Sequence, residues 1–179
     1  METTVKNNWV IDPTHSEIRF KVKHLVISTV TGSFDKFEGT VKASKDDFSD
    51  AEAEFSADID SVNTNVADRD AHLKSPDFFD AANFPKLTFK SKKIARVDDN
   101  EYKMTGDLTI RGTTKEITLN VEFGGIIKDP WGNIKAGFEI SGKLNRKDFG
   151  LQWNAVTETG GIVVADEIKL AINVELAKQ

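Results

Sequence analysis

Ile168, Leu170, Ile172, Val174 and Leu176 alternate with Lys169, Ala171, Asn173, Glu175 and Ala177 near the end of this 179-residue chain. A period of two excludes a helix here, because residues two apart on a helix point about 200° from each other and leave no apolar face. Only a strand gathers them on one side. The alternation returns at Ile18, Phe20 and Val22, at Ala53, Phe55, Ala57 and Ile59, and at Leu87 and Phe89. It continues at Tyr102, Met104, Leu108 and Ile110, at Ile117, Leu119, Val121 and Phe123, and at Ala136, Phe138, Ile140 and Leu144. Turn-forming clusters stand between them: Asp98-Asp99-Asn100, Arg111-Gly112-Thr113-Thr114 and Asp129-Pro130-Trp131-Gly132-Asn133. Links this short favour antiparallel hairpins over parallel crossovers.

Strands that are apolar on one face only must hide that face. An extended antiparallel β-barrel of about eight to ten strands does so without raw edges, and its interior has room for side chains or one elongated ligand. A two-sheet sandwich is the alternative. Small residues on the apolar faces (Ala53, Ala57, Gly106, Ala136, Gly142) favour a barrel with space inside, since a sandwich would fill those places. Residues 63–84 break the alternation. Asn63-Thr64-Asn65 suits a helix start, Ala67 to Leu73 tolerates helix, and Ser75-Pro76-Asp77 reads as a second cap with proline at the first helical position. The all-β class therefore carries a short helical insert near residues 65–82, pinned over a sheet edge or the barrel mouth by Phe78, Phe79 and Phe84. No repeat, low-complexity tract or linker divides the chain, so residues 1–179 read as one domain. At this length folding hides roughly 70% of the extended chain's surface.

With 24 basic against 29 acidic side chains the net charge is -5, and no block of like charge marks a nucleic-acid partner. The chain has no cysteine, which removes disulfides, thiolate catalysis and cysteine-held metal. METTVKNNWV lacks the pattern of a secretory leader, and nothing later is long enough to span a bilayer as a helix. As written the chain reads as cytoplasmic, or as periplasmic if Met1 replaces a removed signal.

W-x-I-D-x-x-H-S-x-I-x-F-x-V-x-H runs from Trp9 to His24, G-S-F-x-x-F-x-G from Gly32 to Gly39 and S-V-x-T from Ser61 to Thr64. R-D-x-H-L-x-S-x-D-F-F-D follows from Arg69 to Asp80, F-P-x-L-T-F-x-S from Phe84 to Ser91, and G-D-L-T-I-R-G-T-T-K from Gly106 to Lys115. R-K-D-F-G spans Arg146 to Gly150 and V-A-D-E-I-K-L spans Val164 to Leu170. In this order the motifs resemble the YceI-like family of lipid-binding proteins. The resemblance implies a lipocalin-like barrel around a long apolar chain, with polyisoprenoid or fatty-acid-like amphiphiles as ligands and homodimers as a common state. Many family members carry a cleaved signal, and this sequence differs in lacking one.

The expected function is non-catalytic binding, storage or transport of a long-chain isoprenoid lipid, of the polyprenyl or quinone-precursor type. A stress protein that binds fatty acid or fatty amide is one alternative. An enzyme acting on a small amphiphile through Arg69, Asp70 and His72 is another, and a ligand-free interaction scaffold a third. The apolar lining expected from the alternating faces is Ile18, Phe20, Val22, Leu108, Ile110, Phe138, Ile140, Leu170, Ile172 and Val174. By periodicity alone these residues serve equally to fill a solid core.

His24 shares the inward parity of Ile18, Phe20 and Val22, so it either meets a lipid head group or is a hydrogen-bonded structural histidine. Arg69, Asp70 and His72 are expected to latch the insert over the barrel and to border the polar end of the lipid. Catalysis there needs a nucleophile, and the nearest hydroxyl, Ser75, reads as a helix cap. His15, His24 and His72 with Asp68 or Asp70 lack a short metal-ligand spacing. No catalytic residue, metal ligand or cofactor is therefore assigned, and the bound lipid is the expected ligand. Trp131 and Trp153 suit the rim of an opening or a dimer contact. Trp9 suits packing at one end.

Overall fold

Each alternating segment forms a strand, and every strand pairs antiparallel with its neighbours. A computed structural model describes residues 5–154 and 163–179. The first four residues, which belong to the leader reading, lie outside that range. In chain order the elements are β1 (Asn7–Ile11), β2 (Glu17–His24), β3 (Ser28–Phe34), β4 (Phe37–Ala43), β5 (Glu52–Asp58), β6 (Val62–Asn63) and the helix α1 (Ala67–Lys74). The long strands β7 (Lys86–Asp98), β8 (Glu101–Ile110), β9 (Thr113–Lys128), β10 (Ile134–Asn145) and β11 (Val164–Lys178) follow.

Closure comes from β11. Its last residues pair with β1 (Trp9↔Lys178 to Ile11↔Leu176), and β1 also pairs with β4, which completes the ring β1-β4-β5-β7-β8-β9-β10-β11. The first part of the same edge, from Val164 to Asn173, pairs with β2. Thus β1 and β2 form one interrupted line, β3 and β4 a second, and β5 and β6 a third, giving the closed eight-stranded barrel. The sandwich alternative falls, because a sandwich has no strand joining its two ends.

Each interruption has a local cause. Between β1 and β2, Asp12 starts a 3₁₀ turn at Pro13–His15 by accepting from Thr14 N (3.0 Å) and Thr14 Oγ1 (2.7 Å). Between β5 and β6 another 3₁₀ turn takes Ile59–Ser61, so Ile59 leaves the strand in which its alternation places it yet stays buried. The β8–β9 hairpin turns on Arg111 and Gly112, both at positive φ (51° and 72°), as a two-residue turn of matching twist requires. A bulge at Gly124-Gly125 opposite Gly137 breaks the β9–β10 register and adds the local twist that a closing sheet needs.

The glycines do not mark empty space. A Cβ on Gly106 would lie 2.5 Å from the Phe89 ring, and one on Gly142 2.7 Å from Leu119. Neighbouring side chains lie over these bare backbones, so small residues here admit large neighbours. Ala53, by contrast, lines the hollow of the closed barrel, so the expected space inside exists but these two glycines do not create it.

At the base, the β4–β5 loop folds inward and Phe48, 2% exposed, becomes its plug. Its ring lies 5.1 Å from Trp9, 5.3 Å from Phe123 and 5.0 Å from Phe138. Asp50 holds the loop by accepting from Ser44 N, Ser44 Oγ and Lys45 N, and Tyr102 Oη donates to Asp47 O. Packing on every side keeps Phe48 at φ 60°, a conformation an aromatic residue rarely adopts.

Phe48→Ala is expected to destabilise the protein by about 3–5 kcal/mol in urea unfolding, the range for deleting a buried ring. An unchanged midpoint would remove the plug from the fold's support. The hinge makes a second prediction. The Asp12 carboxylate sits beside His15 Nδ1 (2.9 Å), Thr14 and Lys135 Nζ (3.1 Å), and these bonds, that to His15 first, hold its pKa well below the usual carboxylate range. The native state therefore binds fewer protons than the unfolded chain, and this stability is present above the ordinary carboxylate pKa and lost as pH falls. Melting temperature should drop in acid for the wild type and drop less for Asp12→Asn. Parallel acid limbs for the two proteins would contradict the assignment.

Candidate functional site

The helix α1 carries Asp68 and Asp70 in its first turn and His72 and Lys74 in its last, each sign matched to the helix dipole. Its N-terminal residue, Val66, supplies no capping side chain. The tie to the barrel runs through Thr64 instead, just after β6. Asp70 Oδ1 accepts from Thr64 N (2.8 Å) and Thr64 Oγ1 (2.6 Å), while Arg69 donates from Nε to Thr64 Oγ1 (2.8 Å) and from Nη2 to Thr64 O (2.7 Å). Every polar group of this buried threonine is used. Arginine and aspartate thus meet on a threonine, without a direct ion pair.

His72 stands apart from that knot. Its Nε2 lies 2.9 Å from Asp77 Oδ2, and its ring meets Phe78 (5.0 Å) and Trp153 (4.7 Å) edge-on. Ser75 Oγ donates to the His72 carbonyl (2.6 Å), so this hydroxyl is not hydrogen-bonded to the imidazole. Ser75 ends α1, and the Pro76 to Phe79 stretch is a turn; the second helix expected after it does not form. Phe78 and Phe79 are buried at the end of the barrel, with Phe79 against Phe34 (5.9 Å), and Phe84 covers Gly112.

Beneath this cap lies a cavity of about 400 Å³, with Phe48 among the residues at its base. That is within the roughly 300–1,000 Å³ usual for ligand pockets. Its wall includes all ten apolar residues expected from the alternation: Ile18, Phe20, Val22, Leu108, Ile110, Phe138, Ile140, Leu170, Ile172 and Val174. From Leu144 near the cap to Phe138 near the base, β10 runs about 20 Å at roughly 3.3 Å per residue. Of the polar residues that line the wall, His24, Thr64, Arg69, His72 and Arg146 gather at the α1 end, while Thr40, Glu54 and Tyr102 lie toward the base. Asp70 is not part of the wall, because it points back to Thr64. Lys23 lines the cavity and is exposed, so the hollow reaches the surface at the end of β2.

Arg146 escaped the sequence reading. It is 3% exposed and donates to the carbonyls of Ala165 (2.9 Å), Leu151 (2.7 Å), Trp153 (2.8 Å) and Val164 (3.3 Å), with Asp166 at 3.7 Å. A lone arginine in a short motif gives no sign that it will be buried. Phe48 escaped the sequence reading too, although it is the one aromatic in the charged loop Lys45 to Asp50. Trp153 does reach the cavity end, Trp131 stands 84% exposed in its turn, and Trp9 packs in the base as expected.

The three histidines do not converge. His15 sits at the β1–β2 hinge and His72 on Asp77. Asp12, His15 and Glu175 come together there, but Lys135 Nζ stands 3.1 Å from Asp12 and 3.9 Å from Glu175, an ammonium already bridging the carboxylates. Among the described residues no helix is long and apolar enough to cross a membrane.

A family model described as the YceI-like domain matches residues 9–176. The UPF0312 protein SA2479 of Staphylococcus aureus is 39% identical over 171 residues, covering 95% of this chain and 97% of that protein. The crystal structure of a Campylobacter jejuni YCEI protein is 38% identical with a TM-score of 0.75, over 88% of this chain and 90% of that one. A polyisoprenoid binding domain from Saccharophagus degradans shares the fold at 17% identity, with a TM-score of 0.66 over 96% of this chain and 98% of that one.

Arg69→Met should cost about 1–3 kcal/mol, the range for leaving buried groups such as those of Thr64 without a partner. The measurement is urea unfolding. A variant as stable as wild type would show that the knot does not hold α1.

Proposed function

This chain belongs to the YceI-like family, and from that premise we propose that it binds one long-chain isoprenoid lipid inside the barrel, head group toward α1. The observation that carries this reading is the cavity itself: a mostly apolar tube with two arginines and two histidines at its α1 end. The polyisoprenoid binding domain from Saccharophagus degradans, which shares the fold, supports the class of ligand.

Magnitudes favour a long tail. Each CH₂ moved from water into an apolar wall is worth about 0.8 kcal/mol, so ten carbons supply roughly 8 kcal/mol gross. Association costs about 4–15 kcal/mol in lost freedom, so ten carbons barely offset it while twenty leave a margin.

The proposed role is binding without chemistry. His72 paired with Asp77 resembles an oriented base, yet the hydroxyl of Ser75, three residues on, is committed to a backbone carbonyl. Native mass spectrometry of the purified protein, followed by solvent extraction, is expected to release a long-chain lipid. Ile140→Trp, which fills the tube from β10, should cut the loaded fraction at least tenfold while the protein still melts cooperatively. Wild-type protein that shows only its own mass, and takes up no added polyprenol, would overturn the reading.

A further inference from the structure

The turn between β2 and β3 is Leu25-Val26-Ile27, and it faces water with three aliphatic side chains in a row. Val26 is 72% and Ile27 87% exposed, and Leu25 is exposed as well. Leu25 and Val26 also hold φ of 53° and 66°. Left-handed turns of this kind favour Asn and Gly, and a β-branched valine there is a true outlier. The chain therefore carries apolar surface where both solvation and backbone geometry oppose it. The tip adjoins the cavity opening: Lys23 and His24 just before it line the hollow, and Leu25 N donates to Val163 O, another lining residue.

The outer face behind the tip is basic. Lys143 lies opposite Lys169, and Lys169 opposite Lys21, so three lysines stand side by side across β10, β11 and β2, with Lys23 nearer the tip. Like charges directly opposite one another are destabilising in a sheet. Lys143 has Glu167 at 3.7 Å, and Lys147 nearby has Asp166 at 3.3 Å. Among the described residues Lys21, Lys23 and Lys169 have no ion-pair partner. In a chain of net charge -5 this strip is a local reversal of sign.

We propose that this end of the barrel docks on an anionic phospholipid bilayer, with Leu25, Val26 and Ile27 inserted among the acyl chains and Lys21, Lys23 and Lys169 at the head groups. An apolar edge backed by lysines is the pattern that binds membrane interfaces. Docking would set the cavity opening against the phase where a water-insoluble cargo resides. The proposal rests on the lipid reading of the cavity for its purpose, while its test does not.

Flotation of the full chain with phosphatidylcholine vesicles, with and without phosphatidylglycerol, measures it. Wild type should bind vesicles containing phosphatidylglycerol at least tenfold more tightly than phosphatidylcholine alone, and added salt should weaken the difference. Val26→Asn with Ile27→Ser should lose at least tenfold on the anionic vesicles without a lower melting temperature, since Asn tolerates the left-handed turn. Lys21→Gln with Lys169→Gln should remove the preference for phosphatidylglycerol. Trp131→Ser, at the opposite end, should change nothing.

Wild type that floats with neither vesicle, or a tip variant that floats as well as wild type, overturns the proposal. So does a tip variant that becomes monomeric in light scattering while wild type is a dimer that ignores vesicles, which would assign the tip to a second copy of this chain. Native mass spectrometry of the tip variant separates the two readings: retained lipid with lost flotation supports docking beside an intact cavity, and no lipid in wild type or variant sinks the cargo reading alone.

Discussion

One strand edge carries the closure of this fold. The far edge of β11 must satisfy its backbone groups along fifteen residues, and no single partner strand does it: β2 takes the first part and β1 the last. Buried backbone groups left unpaired are costly, so the residues at the break between β1 and β2 must themselves satisfy the β11 groups that face it. The Asp12 turn sits there, and Asp12 N donates to Glu175 O while Glu175 N donates to Ser16 Oγ across the gap. Without that hinge β1 could not turn to meet β4, and the ring would stay an open, curled sheet.

Closure also decides what happens to the apolar faces. Eight strands around a ring enclose an interior that side chains can fill or leave open for one ligand; here the middle stays open and each end is finished separately. The base is finished by an aromatic plug from a charged loop. The other end is finished by α1, by Phe78 and Phe79, and by two arginines whose donors go to backbone carbonyls and one threonine. Both guanidinium groups thereby stabilise the cap. His24, whose ring has no hydrogen bond among the described residues, is the polar side chain there with hydrogen-bonding capacity to spare.

Much of this was legible. The alternation identified the long strands, and the inward faces it named are the ones that line the cavity. Strands β3 and β4 were not identified because Ser28 to Phe34 is mostly Ser, Thr and Gly, and Phe37 to Ala43 is cut by Gly39. The outer half of β7 escaped for another reason. A bulge at Lys92 shifts its parity, so that Ile94 faces inward where strict alternation would place Lys93. The crowding of Arg69, Asp70 and His72 suggested a single cluster, and only its first two members stay together, because His72 finds its partner in the turn after α1. Arg69 and Asp70 reach back to Thr64 and His72 goes to Asp77.

By itself the sequence determined the class of element, the antiparallel pairing, the position of the helical insert and the inward set of side chains. These depend on local period and turn chemistry, which are written in consecutive residues. Only the tertiary structure decided that the sheet closes through β1, that Arg146 is buried among carbonyls, and that the middle stays hollow with Phe48 plugging one end and α1 capping the other beside an opening at the end of β2. Those outcomes depend on distances between segments far apart in the chain, where one bulge or one hinge changes which atoms meet.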